Sequence, residues 1–407
     1  MKYLFTLLIF CKIYSSAYSQ QTDFAKSLSA GKAEFKKEYV DQDYENAIKH
    51  LEKAVQINPL SAEAHYFLGY AYDKLNIKDG SMIIESNLAL ALKVSKAFET
   101  VIKLSPKYTG ELLALDPYSK ITSTWGSQAM AYLYRGDIDS AKWAFAEGKK
   151  RGGFSELSLA ATRLALNNCT PGSLLLSTGD NSTYPLLYLQ NLENYRTNVA
   201  TFDIGLLDTY WYAGYLQNNK IVDFKLPVAT LDTLEYTVNK DSLFTLPLEN
   251  GKPFQWVSKS NYDDGVLYRR DRLLLKLLQS RGLKNPVYFT KGFSRELAMD
   301  LLDYTLNRVF VQQLNIIDEP ELTLDSFNQK IKEMYKLIEL INPNSSDELI
   351  QIDLIRTTVL FRANYEAGND QEETAGKLIK EMNLAIPLAK FPMEDGFLKD
   401  FMTQFLD

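Results

Sequence analysis

The chain has 407 residues, of which 46% are hydrophobic and 24% charged, a composition typical of a globular protein with room for two or three cores. Its formal net charge of −6 argues against nucleic acid as a partner, because phosphate binding needs clustered lysines and arginines. With only 2 histidines and 2 cysteines, we expect no metal, no cofactor and no catalytic residue.

The first 19 residues have the pattern of a secretory signal peptide. Lys2 precedes a short apolar run, and small residues before and at Ser19 form a cleavage site. The run is too short to span a bilayer, and no later stretch has the length and apolarity of a transmembrane helix. We therefore expect cleavage near Ser19 and export to the periplasm or cell envelope. Lipid attachment at Cys11 is an alternative, although Phe10 stands where that signal needs a small residue.

Residues 20–152 show a helical pattern with a period near 34 residues, interrupted by gaps with extra residues. Small, large and helix-breaking residues recur because two antiparallel helices cross closely at such positions and then end. The positions that we expect to pack in this way are Ala47, Ala54, Pro59, Gly69, Trp125, Ala129, Ala141 and Phe145. The pattern resembles tetratricopeptide (TPR) repeats, which implies a concave surface for a protein or peptide partner. Amphipathic helices with coincidental spacing are the alternative.

Residues 153–293 predict a small α/β domain. An apolar run at Leu174–Leu176 is followed by a polar loop, an amphipathic helix and a second apolar run at Val199–Ile204, which is the order of a β-α-β unit with parallel strands. A strand-rich insertion is expected near residues 220–260, in the segments FKLPVATL, TLEYTV and KPFQWV.

The segment CTPGSLLLSTGDNSTYPLLYLQNLENYRTNVATFDIGLLDTYWY resembles the soluble C-terminal region of bacterial O-mannosyltransferase-like membrane proteins. In that family the strand precedes a Gly-Asp-Asn-Asp-Thr motif that continues into Pro-Leu-Trp-Tyr. The similarity continues at DRLLLKLLQSRGLKNPVYFT, a helix followed by a strand. Three carboxylates of the family are absent, since Ser182, Asn191 and Tyr210 stand at their positions. This argues against glycosyltransferase activity in this chain.

The polar loop after the first strand is the candidate ligand site, because open α/β sheets bind ligands where strands end and helices begin. Its candidate binding residues are Gly179, Asp180, Asn181, Thr183 and Gln190, with a saccharide as the alternative partner. A purely local role is the hypothesis that we favour from sequence. In it Asp180 or Ser182 caps the helix, Gly179 forms the turn and Pro185 fixes the first helical turn.

Residues 294–407 predict helices from Arg295 to the end, with degenerate TPR-like spacing in the last hairpin at Ala375, Ile379 and Met382. The expected fold is therefore mixed: α-helical TPR-like repeats flank a small α/β domain with a mostly parallel sheet. The expected function is that of an exported, non-enzymatic TPR interaction or scaffold protein. The alternative is a carbohydrate-binding or glycan-assembly accessory protein that uses the loop at Gly179–Asn181.

Overall fold

A computed structural model describes residues 20–239, 243–248, 251–258, 265–281, 284–393 and 396–405. The predicted signal peptide and Cys11 lie outside the described residues. The chain divides into two compact units, Met1–Gly153 and Phe154–Asp407. Within the described part of the chain, none of the helices combines the length and the apolarity that crossing a membrane requires.

The N-terminal unit is built from α-helices that begin at polar capping residues. The side chains of Asp43, Ser61, Asn87, Asp116 and Asp137 each accept a hydrogen bond from a backbone N–H in the first turn of the helix that follows. Such a cap satisfies one of the N–H groups that have no partner inside the helix. The helices are α1 (20–34), α2 (Tyr44–Ile57), α3 (Ala62–Ile77), α4 (Leu88–Leu104), α5 (Pro117–Tyr134) and α6 (Ile138–Lys150).

Consecutive helices of this unit pack closely through small side chains. A Cβ atom added to Gly69 of α3 would lie only 2.8 Å from the Phe98 ring of α4. Helix α2 ends at Ile57, two residues before Pro59, as expected of a residue that cannot continue a helix. The fully buried residues at the repeat positions are Ala47, Ala54, Trp125, Ala129, Ala141 and Phe145. The helices are thus held by close crossings.

The extra residues between α3 and α4 are anchored by buried polar contacts. They form two short 3-10 turns, Lys78–Gly80 and Ile83–Glu85. The Asn76 amide donates to the Ser86 hydroxyl at 3.0 Å, and Ser86 donates to the Gln128 amide oxygen at 2.9 Å. The interruption of the repeat period is therefore a connection fixed to α5.

The second unit combines a sheet, two small hairpin-like pairs and a group of C-terminal helices. Its helices are α7 (Glu156–Asn168), α8 (Asp180–Leu192), α9 (Tyr212–Asn218), α10 (Val228–Asp232), α11 (Arg269–Arg281), α12 (Leu324–Lys336), α13 (Ser346–Ala367), α14 (Glu372–Ala385) and α15 (Gly396–Thr403). Its strands are β1 (Leu174–Ser177), β2 (Ala200–Asp203), β3 (Thr237–Val238), β4 (Leu243–Leu246), β5 (Phe254–Val257), β6 (Val266–Leu267), β7 (Val287–Thr290), β8 (Thr305–Asn307) and β9 (Val311–Leu314).

The main sheet has five strands in the order β2-β1-β7-β9-β8. Strand β1 pairs in parallel with β2 and β7, while β9 runs antiparallel to both of its neighbours. Four of the five strands therefore point in the same direction. All four residues of β1 are buried, as expected for a central parallel strand. The predicted fold class, helical repeats with a small and mostly parallel sheet, is confirmed.

Two segments differ from the sequence prediction. The segment FKLPVATL contains helix α10, which begins directly after Pro227, rather than a strand. Pro227 fixes a backbone angle suited to a helix start, and this local preference decides the structure. The region after Arg295 is not helical throughout, because β8 and β9 lie there. Strand β9 pairs with β7 and so satisfies the backbone groups of what would otherwise be an edge strand.

The C-terminal helices form a core of their own. Apolar side chains of α12, α13 and α14 pack together, including Ile331, Ala375, Ile379 and Met382. The fully buried Arg356 of α13 donates hydrogen bonds to the backbone oxygens of Ile386 and Phe391. An arginine inside a core is tolerated when such acceptors replace water, so Arg356 ties the chain after α14 to α13.

Candidate functional site

Two places in the chain gather functional side chains, one in each unit. The first is the face of α1 and α3 that carries Lys32, Tyr66 and Tyr70, which we call the groove face. Tyr66 and Tyr70 are four residues apart and therefore lie on one side of α3. Against them lies the segment of residues 105–116, which connects α4 to α5.

The tyrosine hydroxyls of the groove face bind the backbone of this segment. The Tyr66 hydroxyl donates to the Leu115 oxygen at 2.9 Å and accepts from the Leu113 N–H at 3.0 Å. The Tyr70 hydroxyl donates to the same oxygen at 3.1 Å and accepts from the Leu115 N–H at 2.7 Å. The Tyr108 ring stacks on Tyr66, with 4.8 Å between ring centroids. The groove face thus holds a stretch of backbone at Leu113 and Leu115 through hydrogen bonds that do not involve the side chains of these two residues.

Charged side chains complete the groove face. Lys32 lies 2.6 Å from Glu111 of the segment and also contacts Glu63 of α3. Burial lowers the pKa of Lys32, but the hydrogen bonds to Glu111 and Glu63 outweigh it, so this pKa is raised overall. The hydrogen bond to Lys32 holds the pKa of Glu111 below its ordinary value. At neutral pH the groove face therefore presents a lysine to a carboxylate on the segment that it holds.

The second place is the end of β1 and β2, where the predicted loop lies. Ser177 and Asp203 are paired as the last residues of the two strands, and α8 begins three residues after Ser177. Gly179, between strand and helix, has φ +76°, a conformation that side chains with a Cβ rarely adopt. The turn therefore depends on glycine at this position.

Asp203 is a buried carboxylate at this place that the sequence analysis missed. Its oxygens accept from the Thr183 hydroxyl at 2.6 Å, from the Gly205 N–H at 2.7 Å and from the Leu206 N–H at 3.1 Å. Burial raises the pKa of Asp203 to about 6, although its hydrogen bonds lower it, and the nearby Asp180 raises it further. The available signal was its place as the last residue of an apolar strand in the sequence TFD.

Thr183 and Gln190, predicted as ligand contacts, make internal hydrogen bonds. Thr183 is buried, and its hydroxyl also lies 2.8 Å from the Ser177 hydroxyl. The Gln190 amide donates to the backbone oxygens of Arg196 and Val199 and accepts from the Thr201 hydroxyl at 2.5 Å. These two side chains fasten α8 to β1 and β2, and their predicted role in ligand binding stays a prediction.

Gly179, Asp180 and Asn181 remain at the outer side of this place, with Asp180 half-buried and the other two exposed. The expected capping is wrong in detail. The N-cap residue of α8 is Gly179, which has no side chain to cap with, and Asp180 is the first helical residue. Pro185 lies inside the helix rather than in its first turn. Asp180 instead places a negative charge at the positive end of the helix dipole.

The carboxylate available at the strand ends is that of the half-buried Asp180, because Asp203 is buried and its oxygens accept from Thr183, Gly205 and Leu206. A half-buried carboxylate can accept hydrogen bonds from hydroxyl groups. Among the residues that the structure describes, no group of three or more His, Cys, Asp and Glu side chains has the arrangement to hold a metal ion.

Two family models match parts of the chain. The family model of the TPR repeat matches residues 37–76, which include α2 and α3. The family model of TMEM260-associated domain 2 matches residues 159–246, which include β1, α8 and β2. The chain contains a TPR repeat, and its central segment is similar to TMEM260-associated domain 2. Both resemblances expected from the sequence are confirmed. No curated protein matches the chain.

Proposed function

We propose that the protein is an exported, non-enzymatic scaffold of the bacterial cell envelope that binds a partner protein or peptide through its TPR helices. The TPR match supports protein interaction in general. The observation that carries the finer proposal is the groove face, where Tyr66 and Tyr70 hydrogen-bond four times to the backbone of residues 105–116. A surface that holds one backbone segment in this way is suited to hold a segment of a partner protein.

The groove face also indicates the chemistry of its partner. Lys32 is engaged by Glu111, while the neighbouring Lys36 is only 3.9 Å from the same carboxylate and its side chain is 69% exposed. An acidic residue of an extended partner segment could form ion pairs with both lysines. The partner segment would bind either beside residues 105–116 or in their place. Charge attraction of this kind adds mainly to specificity and to the association rate.

The test is site-specific photo-crosslinking in cells that express the full chain. A photoreactive residue at position 36, in the turn after α1 and close to Glu111, should form a discrete crosslink to a partner protein. The matched control is position 53, an exposed lysine of α2. Crosslinks of equal yield from both positions, or none from position 36, would contradict binding at the groove face.

Export is part of the same proposal and is tested separately. The mature protein should begin at or near Gln20 and fractionate with the periplasm or envelope. N-terminal sequencing that finds Met1 intact would contradict export, and a lipid on Cys11 would replace cleavage near Ser19 by anchoring.

A second candidate function is saccharide binding at Gly179–Asn181. The observation that favours it is the position of Asp180 and Asn181 at the start of α8, where neither residue is fully buried. Calorimetry with a panel of envelope saccharides should then show binding to the wild type that Asp180→Asn abolishes without a change in melting temperature. Absence of binding to the wild type would exclude this candidate.

A further inference from the structure

The second unit contains an open cavity of ≈ 510 Å³ that neither the groove face nor the loop at Gly179–Asn181 lines. It lies beside the edge of the sheet where β1 and β7 begin, between β9, the loop before α12 and α12 itself. Its volume is in the range of sites for small molecules. The charged and amide side chains in its lining are Asn168, Arg308, Gln313, Glu319, Glu321 and Lys330.

One side of the cavity is a fixed, charge-neutral network. The Arg308 guanidinium donates to the Gln313 amide oxygen at 2.8 Å, to a Glu319 oxygen at 2.7 Å and to the Pro320 backbone oxygen at 3.1 Å. The Gln313 amide donates to the other Glu319 oxygen at 2.9 Å. Arg308 and Glu319 therefore cancel each other's charge and act as a rigid wall.

Lys330 is the other cation in the lining of the cavity, and Glu321, whose charge acts on Lys291, is the other carboxylate. The Lys330 ammonium group donates to the Asn168 amide oxygen, and among the described residues no carboxylate forms an ion pair with it. Burial lowers the pKa of Lys330, and the neighbouring Arg308 lowers it further. A half-buried ammonium group whose protein partner is neutral would gain a stronger, charge-assisted hydrogen bond from an anion.

We propose that this cavity binds a small, hydroxyl-rich anion, with Lys330 holding its carboxylate or phosphate group. Hydroxyl groups of Thr170, Thr323 and Ser326 line the same cavity and offer hydrogen bonds to ligand hydroxyls. Sugar acids and sugar phosphates share this chemistry, while an uncharged sugar lacks the group that Lys330 would bind.

The proposal is independent of the proposed function, because the cavity uses no residue of the groove face and none of the loop at Gly179–Asn181. A failed crosslink at position 36 leaves it intact, and its own failure leaves the scaffold proposal intact.

Calorimetry on the full mature chain tests it with three probes: glucuronate, glucose 1-phosphate and glucose. At least one of the two anions should bind, and glucose should bind at least about tenfold more weakly. The anion that binds more tightly shows whether the cavity prefers a carboxylate or a phosphate group. If neither anion binds, or if glucose binds as well as the anions, the proposal is wrong.

Matched variants assign the binding to the cavity. Lys330→Gln should weaken anion binding by about tenfold or more, whereas Lys332→Gln, an exposed lysine on the same helix, should leave it unchanged. Asn168→Asp offers a second route that keeps Lys330 in place, because the new carboxylate would neutralise the ammonium group and should also weaken binding. Anion binding that survives both Lys330→Gln and Asn168→Asp would overturn the assignment.

Discussion

In the N-terminal unit, the hydroxyls of Tyr66 and Tyr70 hold a segment of backbone against a helix face, whereas in the second unit the buried carboxylate of Asp203 holds the ends of two strands. The first arrangement combines neutral hydroxyls with the partly exposed ion pair of Lys32 and Glu111, over helices packed through small residues. The second places ionisable groups inside, and burial also lowers the pKa of Lys291, next to β7, to about 7. We therefore expect the stability of the second unit to depend on pH through specific buried groups. We expect the stability of the N-terminal unit to depend on the volume of the side chains between its helices.

The largest expected effect concerns volume in the N-terminal unit. Trp125 is 0% exposed and its indole N–H donates to Ser95 at 2.9 Å, while Trp143, which packs edge-on against it, is 45% exposed. Trp125→Ala should lower the free energy of unfolding by about 3–5 kcal/mol, because it leaves a large cavity. Trp143→Ala should cost far less. Urea titrations of the two variants that give equal losses would contradict the packing described for α5 and α6.

The next effect concerns charge in the second unit. The pKa of Asp203 is about 6 in the folded state against 3.8 for the ordinary group, so folding disfavours its charged form. Asp203 contributes most to the free energy of unfolding at pH values below the pKa of the group in the unfolded chain. This contribution is lost as pH rises from about 4 through 6. The loss is of order 3 kcal/mol, since one pKa unit corresponds to about 1.4 kcal/mol.

The Asp203→Asn variant isolates this effect from other titrating groups. The Asn amide oxygen can accept from the Gly205 and Leu206 N–H groups, and its NH2 group can donate to the Thr183 hydroxyl, all without a charge. The difference in stability between variant and wild type should therefore grow in favour of the variant from pH 4 to pH 7. Denaturant titrations at a series of pH values measure it. Parallel pH profiles for the two proteins would show that Asp203 does not titrate as described.

A smaller effect compares glycines in helices of the two units. Glycine to alanine in a helix is normally stabilising by up to about 1 kcal/mol. At Gly69 the new Cβ would lie 2.8 Å from the Phe98 ring, so Gly69→Ala should instead destabilise by about 1–3 kcal/mol. At Gly376 of α14 the nearest atom is 3.5 Å away, an ordinary contact, and Gly376→Ala should follow the normal trend. If thermal unfolding shows that both variants change the melting temperature in the same direction, α3 and α4 do not cross as closely as described.

Local sequence signals were sufficient for the helices of the repeats and for the β-α-β unit. Caps such as Asp43 and Ser61, the breaker Pro59 and the apolar run of β1 act within a few residues, so their consequences can be read from sequence. The mixed fold with its mostly parallel sheet follows from the order of these elements.

The features that escaped prediction depend on contacts between distant parts of the chain. Strand β9 is stabilised by its pairing with β7, which precedes it by about 20 residues. Asp203 accepts a hydrogen bond from Thr183, 20 residues away in sequence. The hydrogen bond from the Tyr66 hydroxyl to the Leu115 backbone oxygen joins residues that are 49 positions apart in sequence. Periodicity gives the face of a helix that is buried, but it does not say which segment covers that face.

The central claim is that the groove face holds the backbone at Leu113 and Leu115 through the hydroxyls of Tyr66 and Tyr70, and hydrogen exchange tests it most directly. The hydroxyls accept hydrogen bonds from the Leu113 and Leu115 amides. In the Tyr66→Phe, Tyr70→Phe double variant these two amides should lose their protection, while the amides of α3 keep theirs. Unchanged protection at Leu113 and Leu115, in a variant whose α3 remains protected, would contradict the claim.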